Sequence, residues 1–177
     1  MLRRPSAASH ATAGQRGRRE LKKMRFHTLR RAQWTPRPLA EVFAFFSDAR
    51  NLADITPPWL RFRILTPGPI RLQRGSRISY RLRVHGLPIR WTRDIRQWLP
   101  PHRFIDVQLS GPYALWHHTH SFESLNGGTC MSDVVRYQLP FGAPGRWINA
   151  LMVRRDVKQI FDYREQRIRE LFGEASR

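Results

Sequence analysis

Cysteine, acidic side chains and long apolar runs are the scarce elements of this sequence, and each scarcity excludes something. The single cysteine of its 177 residues, Cys130, rules out an intramolecular disulfide and suits a reducing compartment, so a cytoplasmic location is expected. No run is long and apolar enough to read as a membrane-spanning helix. No nucleophile elbow, phosphate-binding loop or dinucleotide fingerprint occurs. Carboxylates are few: 13 Asp and Glu stand against 32 Lys and Arg, for a formal charge of +19. Such a charge attracts nucleic acid or anionic lipid. Much of it, however, is arginine alternating with apolar residues, as where Arg77, Arg81 and Arg83 interleave with Ile78, Tyr80, Leu82 and Val84. That is the pattern of a half-solvated sheet, and no nucleic-acid-reading module is recognisable. Weak contact with an anionic membrane or nucleic acid is therefore a secondary expectation.

Residues 1–23 are basic, rich in Ser and Ala, and without hydrophobic period. They lack the apolar stretch of a secretory signal. They read as a flexible basic arm, or as sequence ahead of a true start at Met24, with a basic targeting peptide as a third reading. Residues 24–173 form one domain and 174–177 a tail.

Within the domain, a first strand spans about 25–33, and Pro36 and Pro38 mark a break and a helix start. Leu39, Val42, Phe43 and Phe46 fall at i, i+3, i+4 and i+7, one apolar stripe on a short helix. Ser47 or Asp48 caps a second short helix carrying Leu52 and Ile55, which ends at Thr56-Pro57-Pro58. Six strand signals follow, at 60–65, 77–84, 89–98, 103–109, 113–123 and 129–139, punctuated by His85-Gly86, Pro100-Pro101, Gly111-Pro112 and Asn126-Gly127-Gly128. Short connections favour antiparallel pairing. A last helix from about 146 to 172 carries a stripe through Trp147, Ala150, Leu151, Val157, Ile160, Phe161, Ile168 and Leu171, with Gly173 as its stop. Its Arg154, Arg155, Lys158, Arg164, Arg167 and Arg169 read as a solvated basic face. The fold class is α+β, a curved antiparallel sheet wrapped around a long C-terminal helix.

That order of elements resembles the helix-grip fold of the Bet v 1/START-like (SRPBCC) superfamily, and within it the polyketide cyclase/dehydrase-like branch of bacterial ligand-binding proteins. The resemblance runs from Met24 to about Phe172. It rests on Thr56-Pro57-Pro58-Trp59, Trp98 through Pro101, Phe104-x-Asp106-x-Gln108, Gly111-Pro112-Tyr113 and Trp116-x-His118-x-His120-x-Phe122. Gly127-Gly128-Thr129, Tyr137-x-Leu139-Pro140-Phe141-Gly142 and Ile160-Phe161-x-Tyr163-Arg164 complete it. The superfamily includes lipid carriers, hormone receptors and aromatase/cyclases, so the fold alone does not decide the activity.

Strand parity puts Trp116, His118, His120 and Phe122 on one face and His117, Thr119, Ser121 and Glu123 on the other. The next strand offers Met131, Asp133, Val135 and Tyr137. Between them, hydrophobicity alone would bury Ile105, Val107 and Leu109. The family pattern instead keeps Phe104, Asp106 and Gln108 as a set, which implies that these face inward. An inward Asp106 needs a partner, and His118, His120 or Arg93 can supply it. The expected ligand-binding set is Trp91, Arg93, Asp106, Gln108, Trp116, His118, His120, Asp133 and Tyr137, for a small, largely apolar ligand. If the protein is an enzyme, His118, His120 and Asp106 are its proton-transfer groups, as in an aldol cyclisation or dehydration. Two histidines at i and i+2 can reach one ion, with Asp106 or Asp133 as third ligand. The expectation is nevertheless a hydrogen-bond network without metal or cofactor. Oligomeric state is not legible.

Overall fold

The computed structural model of the chain describes residues 26–140 and 152–173. The N-terminal arm, the 174–177 tail, the loop expected over Gly142–Gly145 and the expected contributions of Trp147, Ala150 and Leu151 lie outside them. Strand β1 (His27–Thr35) leads into helix α1 (Leu39–Phe46). Two 3-10 turns follow, Ala49–Leu52 and Pro58–Leu60, and then β2 (Arg63–Ile64), β3 (Arg77–Val84), β4 (Leu87–Leu99), β5 (Arg103–Ser110), β6 (Leu115–Leu125) and β7 (Gly128–Gln138). Helix α2 (Arg154–Phe172) ends the described chain. The strands form one antiparallel sheet in the order β1-β7-β6-β5-β4-β3-β2.

Local chemistry accounts for the connections. In the β3–β4 hairpin Val84 pairs with Leu87, and the two loop residues His85 and Gly86 both have positive φ. Asn126-Gly127 repeats the arrangement between Leu125 and Gly128. Such turns match the twist of the flanking strands. The stripe of α1 buries Val42, Phe43 and Phe46 against Trp98, Phe104 and Phe122. Asp48 caps the first 3-10 turn by accepting from the Arg50 amide at 2.9 Å.

Three expectations need correction. The strand expected over 60–65 is only two residues long, because Leu60 is buried in a second 3-10 turn and Arg61, at φ 46°, reverses the chain. On α2, Leu171 faces outward and Phe172 takes its place, packing on Phe45 with ring centroids 5.2 Å apart. Arg164 leaves the solvated basic face altogether and is buried beside Phe46 and Phe161. Gly173 does stop the helix, at φ 90°, with its amide donating to the Arg169 carbonyl.

Helix α2 lies against the inner face of the sheet. The Phe161 ring meets His118 at 5.5 Å, Gln33 donates to the Glu165 carbonyl at 2.9 Å, and Arg31 pairs with Asp162 at 2.8 Å. The core sits between α1, α2 and the inner residues of β3 to β7.

Candidate functional site

Three neighbouring strands bring their inward polar residues to one place. On β6 the inner set is Trp116, His118, His120 and Phe122, all buried. Register then puts Asp106 of β5 opposite His118, and Asp133 of β7 opposite His120. Asp106 does face inward, 2% exposed, with Phe104 beside it. Its facing follows the regular register of β5 on β6, while the β4–β5 ladder has two irregularities. Leu109 is an extra residue on β5, which brings Ser110 opposite Thr92; Arg96 is an extra residue on β4, which lets both Ile95 and Trp98 pack inward. The inner face of β4 therefore presents Trp91, Arg93 and Ile95.

The polar groups form a closed network. His120 Nε2 lies 2.8 Å from Asp106 Oδ2, and its Nδ1 lies 2.9 Å from Asp133 Oδ1. His118 Nε2 lies 2.8 Å from the same Asp133 oxygen, and its Nδ1 lies 3.6 Å from Asp106 Oδ2. The two imidazoles stand 3.7 Å apart, and Phe104 stacks on His120 at 4.1 Å. Arg93 Nη1 is 3.3 Å from Asp106 Oδ1. Its guanidinium also lies over the rings of Tyr80, Trp91 and Trp116 at 5.4, 5.3 and 5.9 Å. Two carboxylates, of buried Asp106 and half-buried Asp133, thus face two guanidiniums, of half-buried Arg93 and buried Arg164.

Electrostatics follow from this arrangement. Burial alone would raise the Asp106 carboxyl, but the Arg93 charge, the His120 hydrogen bond and the His118 imidazole outweigh it and hold the group well below the carboxylate range. Asp133 behaves likewise, with Arg164 as the main opponent of its burial. For His118 burial wins: helped by His120 and opposed by the two aspartates, it pushes the imidazole down to about 4, so His118 is neutral at pH 7. Burial also lowers Arg164 and raises Tyr80.

Space adjoins the network. An outer chamber of about 410 Å³ lies between Trp59, Leu82, Ile89, Tyr113, Val153 and Ile160. Through Leu60, Leu82, Trp91, Tyr113, Val157 and Ile160 it shares walls with an inner recess of about 80 Å³, where Arg93, Trp116, His118 and Arg164 are exposed to the space. A further recess of about 50 Å³ shares Tyr80, Arg93 and Arg164 with the inner one and reaches Asp106 and His120. All three spaces are lined mostly by apolar side chains; Arg83, His85, Asp156 and Gln159 stand in the outer wall, and Arg93, Asp106, His118, His120 and Arg164 around the inner recesses.

Of the nine expected site residues, Trp91, Arg93, Asp106, Trp116, His118 and His120 line these spaces. Asp133 stands behind the two histidines, bordering a small gap at α2. Gln108 is drawn elsewhere: its amide donates to the Tyr113 carbonyl at 2.6 Å and closes the β5–β6 turn. Tyr137 is buried behind Tyr113 and Trp116, outside the cavity walls. Trp59 reaches the outer chamber, while Met152 is exposed and lines none of the three spaces. Sequence reasoning missed Arg164 and Tyr80. The signal for Arg164 was its place in the stripe Val157, Phe161, Arg164, Ile168, spaced by four, three and four.

Asp106, His118 and His120 also bring one ligand atom each within 4.8 Å of one another, close enough to hold a single metal ion. Such an ion would replace the hydrogen bond between His120 and Asp106 and would sit beside Arg93. The protein's own cations already neutralise the carboxylates, so the donor set fits an ion-pair network better than a metal centre.

A family model described as polyketide cyclase/dehydrase and lipid transport matches residues 35–162. No curated protein matches the sequence. Among solved structures, protein Ms6760 from Mycobacterium smegmatis is 17% identical, with a TM-score of 0.61 over 81% of this chain and 89% of that one. Protein CV1439 from Chromobacterium violaceum is 15% identical, with a TM-score of 0.62 over 82% of this chain and 96% of its own. Ara h 8.0201 is 17% identical, with a TM-score of 0.57 over 80% and 97% of the two chains. At such identities the likeness is one of fold. The family match, carried by a helix gripped in an antiparallel sheet, identifies the chain: it belongs to the polyketide cyclase/dehydrase and lipid transport family of the SRPBCC superfamily.

Proposed function

We propose that the domain, taken as residues 24–173, binds a small and largely apolar molecule between α2 and the sheet. A lipid, a quinone or a polyketide-like aromatic suits the lining. The observation that carries this reading is the cavity between α2 and the sheet. Its outer chamber has the volume of a small-molecule site and mainly aromatic and aliphatic walls, with Arg83, His85, Asp156 and Gln159 among them, and its inner end carries a few fixed polar groups. Trp91, Arg93, Trp116, His118 and Arg164 would meet the ligand, and Asp106, His120 and Asp133 would hold them in place. Native mass spectrometry of the purified protein tests it. A ligand of a few hundred daltons should co-purify, or an apolar fluorescent probe should bind with micromolar affinity; failure of both would sink the carrier reading.

A second reading, proton-transfer catalysis of a cyclisation or dehydration, is favoured by one observation. His118 Nδ1 is buried without a protein hydrogen-bond partner at the edge of the inner recess, while Asp133 orients the ring through Nε2. His118→Ala would then abolish turnover of a bound polyketide-like substrate while binding persists; unchanged turnover would leave the carrier reading alone.

A further inference from the structure

Buried polar atoms that find no protein partner are rare in folded proteins, and each asks for a cause. Here eight side-chain atoms among the described residues are in that position, and seven belong to residues lining the two inner recesses. The eighth, Thr35 Oγ1, lies elsewhere. The concentration points at whatever occupies the recesses, not at general packing defects.

The seven are not chemically balanced. Arg93 Nε, Arg164 Nε, Trp91 Nε1 and Trp116 Nε1 are donors only. Tyr80 Oη lies against the Arg93 guanidinium, which can donate to it. Asp106 Oδ1 is an acceptor but already lies 3.3 Å from Arg93 Nη1, and His118 Nδ1 lies 3.6 Å from Asp106 Oδ2. The unmet demand is thus for acceptors. The two guanidiniums are fixed, since the aromatic rings around Arg93 and the Phe46 and Phe161 rings beside Arg164 leave them little freedom. An ammonium head group placed here would bring further donors to a site that lacks acceptors, the two arginine charges being already answered by Asp106 and Asp133.

We infer that the inner recess recognises an oxygen-acceptor head group, a carboxylate or conjugated carbonyl, at one end of an otherwise apolar ligand. Arg93 and Arg164 flank it, and the indole N–H groups of Trp91 and Trp116 donate to it. The apolar body then lies towards Leu82, Tyr113 and Ile160 in the outer chamber. This inference rests on the ligand-binding reading and adds to it the polarity of the ligand and its direction in the cavity.

Equilibrium dialysis of the full chain against four probes of one skeleton tests it: naphthoate, acetylnaphthalene, aminomethylnaphthalene and naphthalene itself. Naphthoate or acetylnaphthalene should bind at least about tenfold more tightly than the amine and the hydrocarbon, the range set by one or two charge-assisted bonds. The stronger of the two identifies the head group as anionic or neutral. Trp91→Phe and Trp116→Phe keep an aromatic ring and all charges, so they should fold; each should reduce the selectivity ratio over naphthalene about threefold or more. Equal binding of all four probes, or preference for the amine, overturns the head-group assignment and leaves the cavity standing. Failure of all four to bind overturns both.

Discussion

Asp133 Oδ1 receives a ring nitrogen from both histidines, so one carboxylate oxygen fixes the tilt of two imidazoles. The consequence is a pH dependence whose sign can be worked out. His118 is pushed down to about 4 in the fold, against 6.5 when unfolded. Between those values the unfolded chain binds a proton that the native state does not, so stability falls as pH falls through that window. A shift of this size corresponds to roughly 3 kcal/mol, all of it present above pH 6.5. Asp106 and Asp133, both depressed, add a loss in the same direction at lower pH. Urea titrations between pH 7 and 4 should therefore show a steady drop in stability, and His118→Asn should flatten it between pH 6.5 and 4. A variant with the wild-type slope would show that another group carries the effect. Parity alone brought the β6 residues to the inner face, because their alternation is unbroken. Asp106 was legible only through the family pattern, since an apolar alternative, Ile105, Val107 and Leu109, competes on the same strand.

At the level of elements, bulges and close approaches decide what periodicity does not. Arg96 resets the parity of β4, and a strict period of two would have put Trp98 on the outer face with Gln97 inside. On α2 the error ran the other way. Arginine was read as solvated by residue type, although position 164 lies in the buried stripe and its charge is answered from another strand by Asp133. Gly128 shows a constraint of the same kind, one set by a neighbour in space. At the end of the β6–β7 hairpin it lies under Trp34, and a Cβ there would collide with the Thr35 carbonyl oxygen and lie 2.6 Å from the indole ring. Trp34 is itself pinned, donating from Nε1 to the Leu125 carbonyl at 2.8 Å. Gly128→Ala should thus cost about 1–3 kcal/mol by overpacking, read as a lower urea midpoint at unchanged slope. A neutral result would mean that β1 shifts freely away from β7, contrary to the continuous nine-residue register between them.

For the whole molecule, the balance of charge differs between inside and outside. Inside, two aspartates answer two arginines. Outside, one row of arginines stands without acid: Arg63, Arg81 and Arg90 sit directly opposite one another across β2, β3 and β4, all exposed. Like charges opposite one another in a sheet destabilise it, and a net +19 adds a diffuse repulsion of the same sign. Salt screens the surface terms, because the Debye length contracts from about 30 Å at 0.01 M to about 3 Å at 1 M, while the buried network is shielded from it. The melting temperature should therefore rise by a few degrees between 0.01 and 0.5 M sodium chloride. Arg81→Thr, which removes the middle of the row and suits a strand, should raise the low-salt value and weaken the salt dependence. A melting temperature that falls with salt would mean that surface ion pairs such as Arg31–Asp162 and Lys158–Asp162 outweigh the arginine row. Exposed pairs of this kind contribute at most about 1 kcal/mol each, so the repulsion should win.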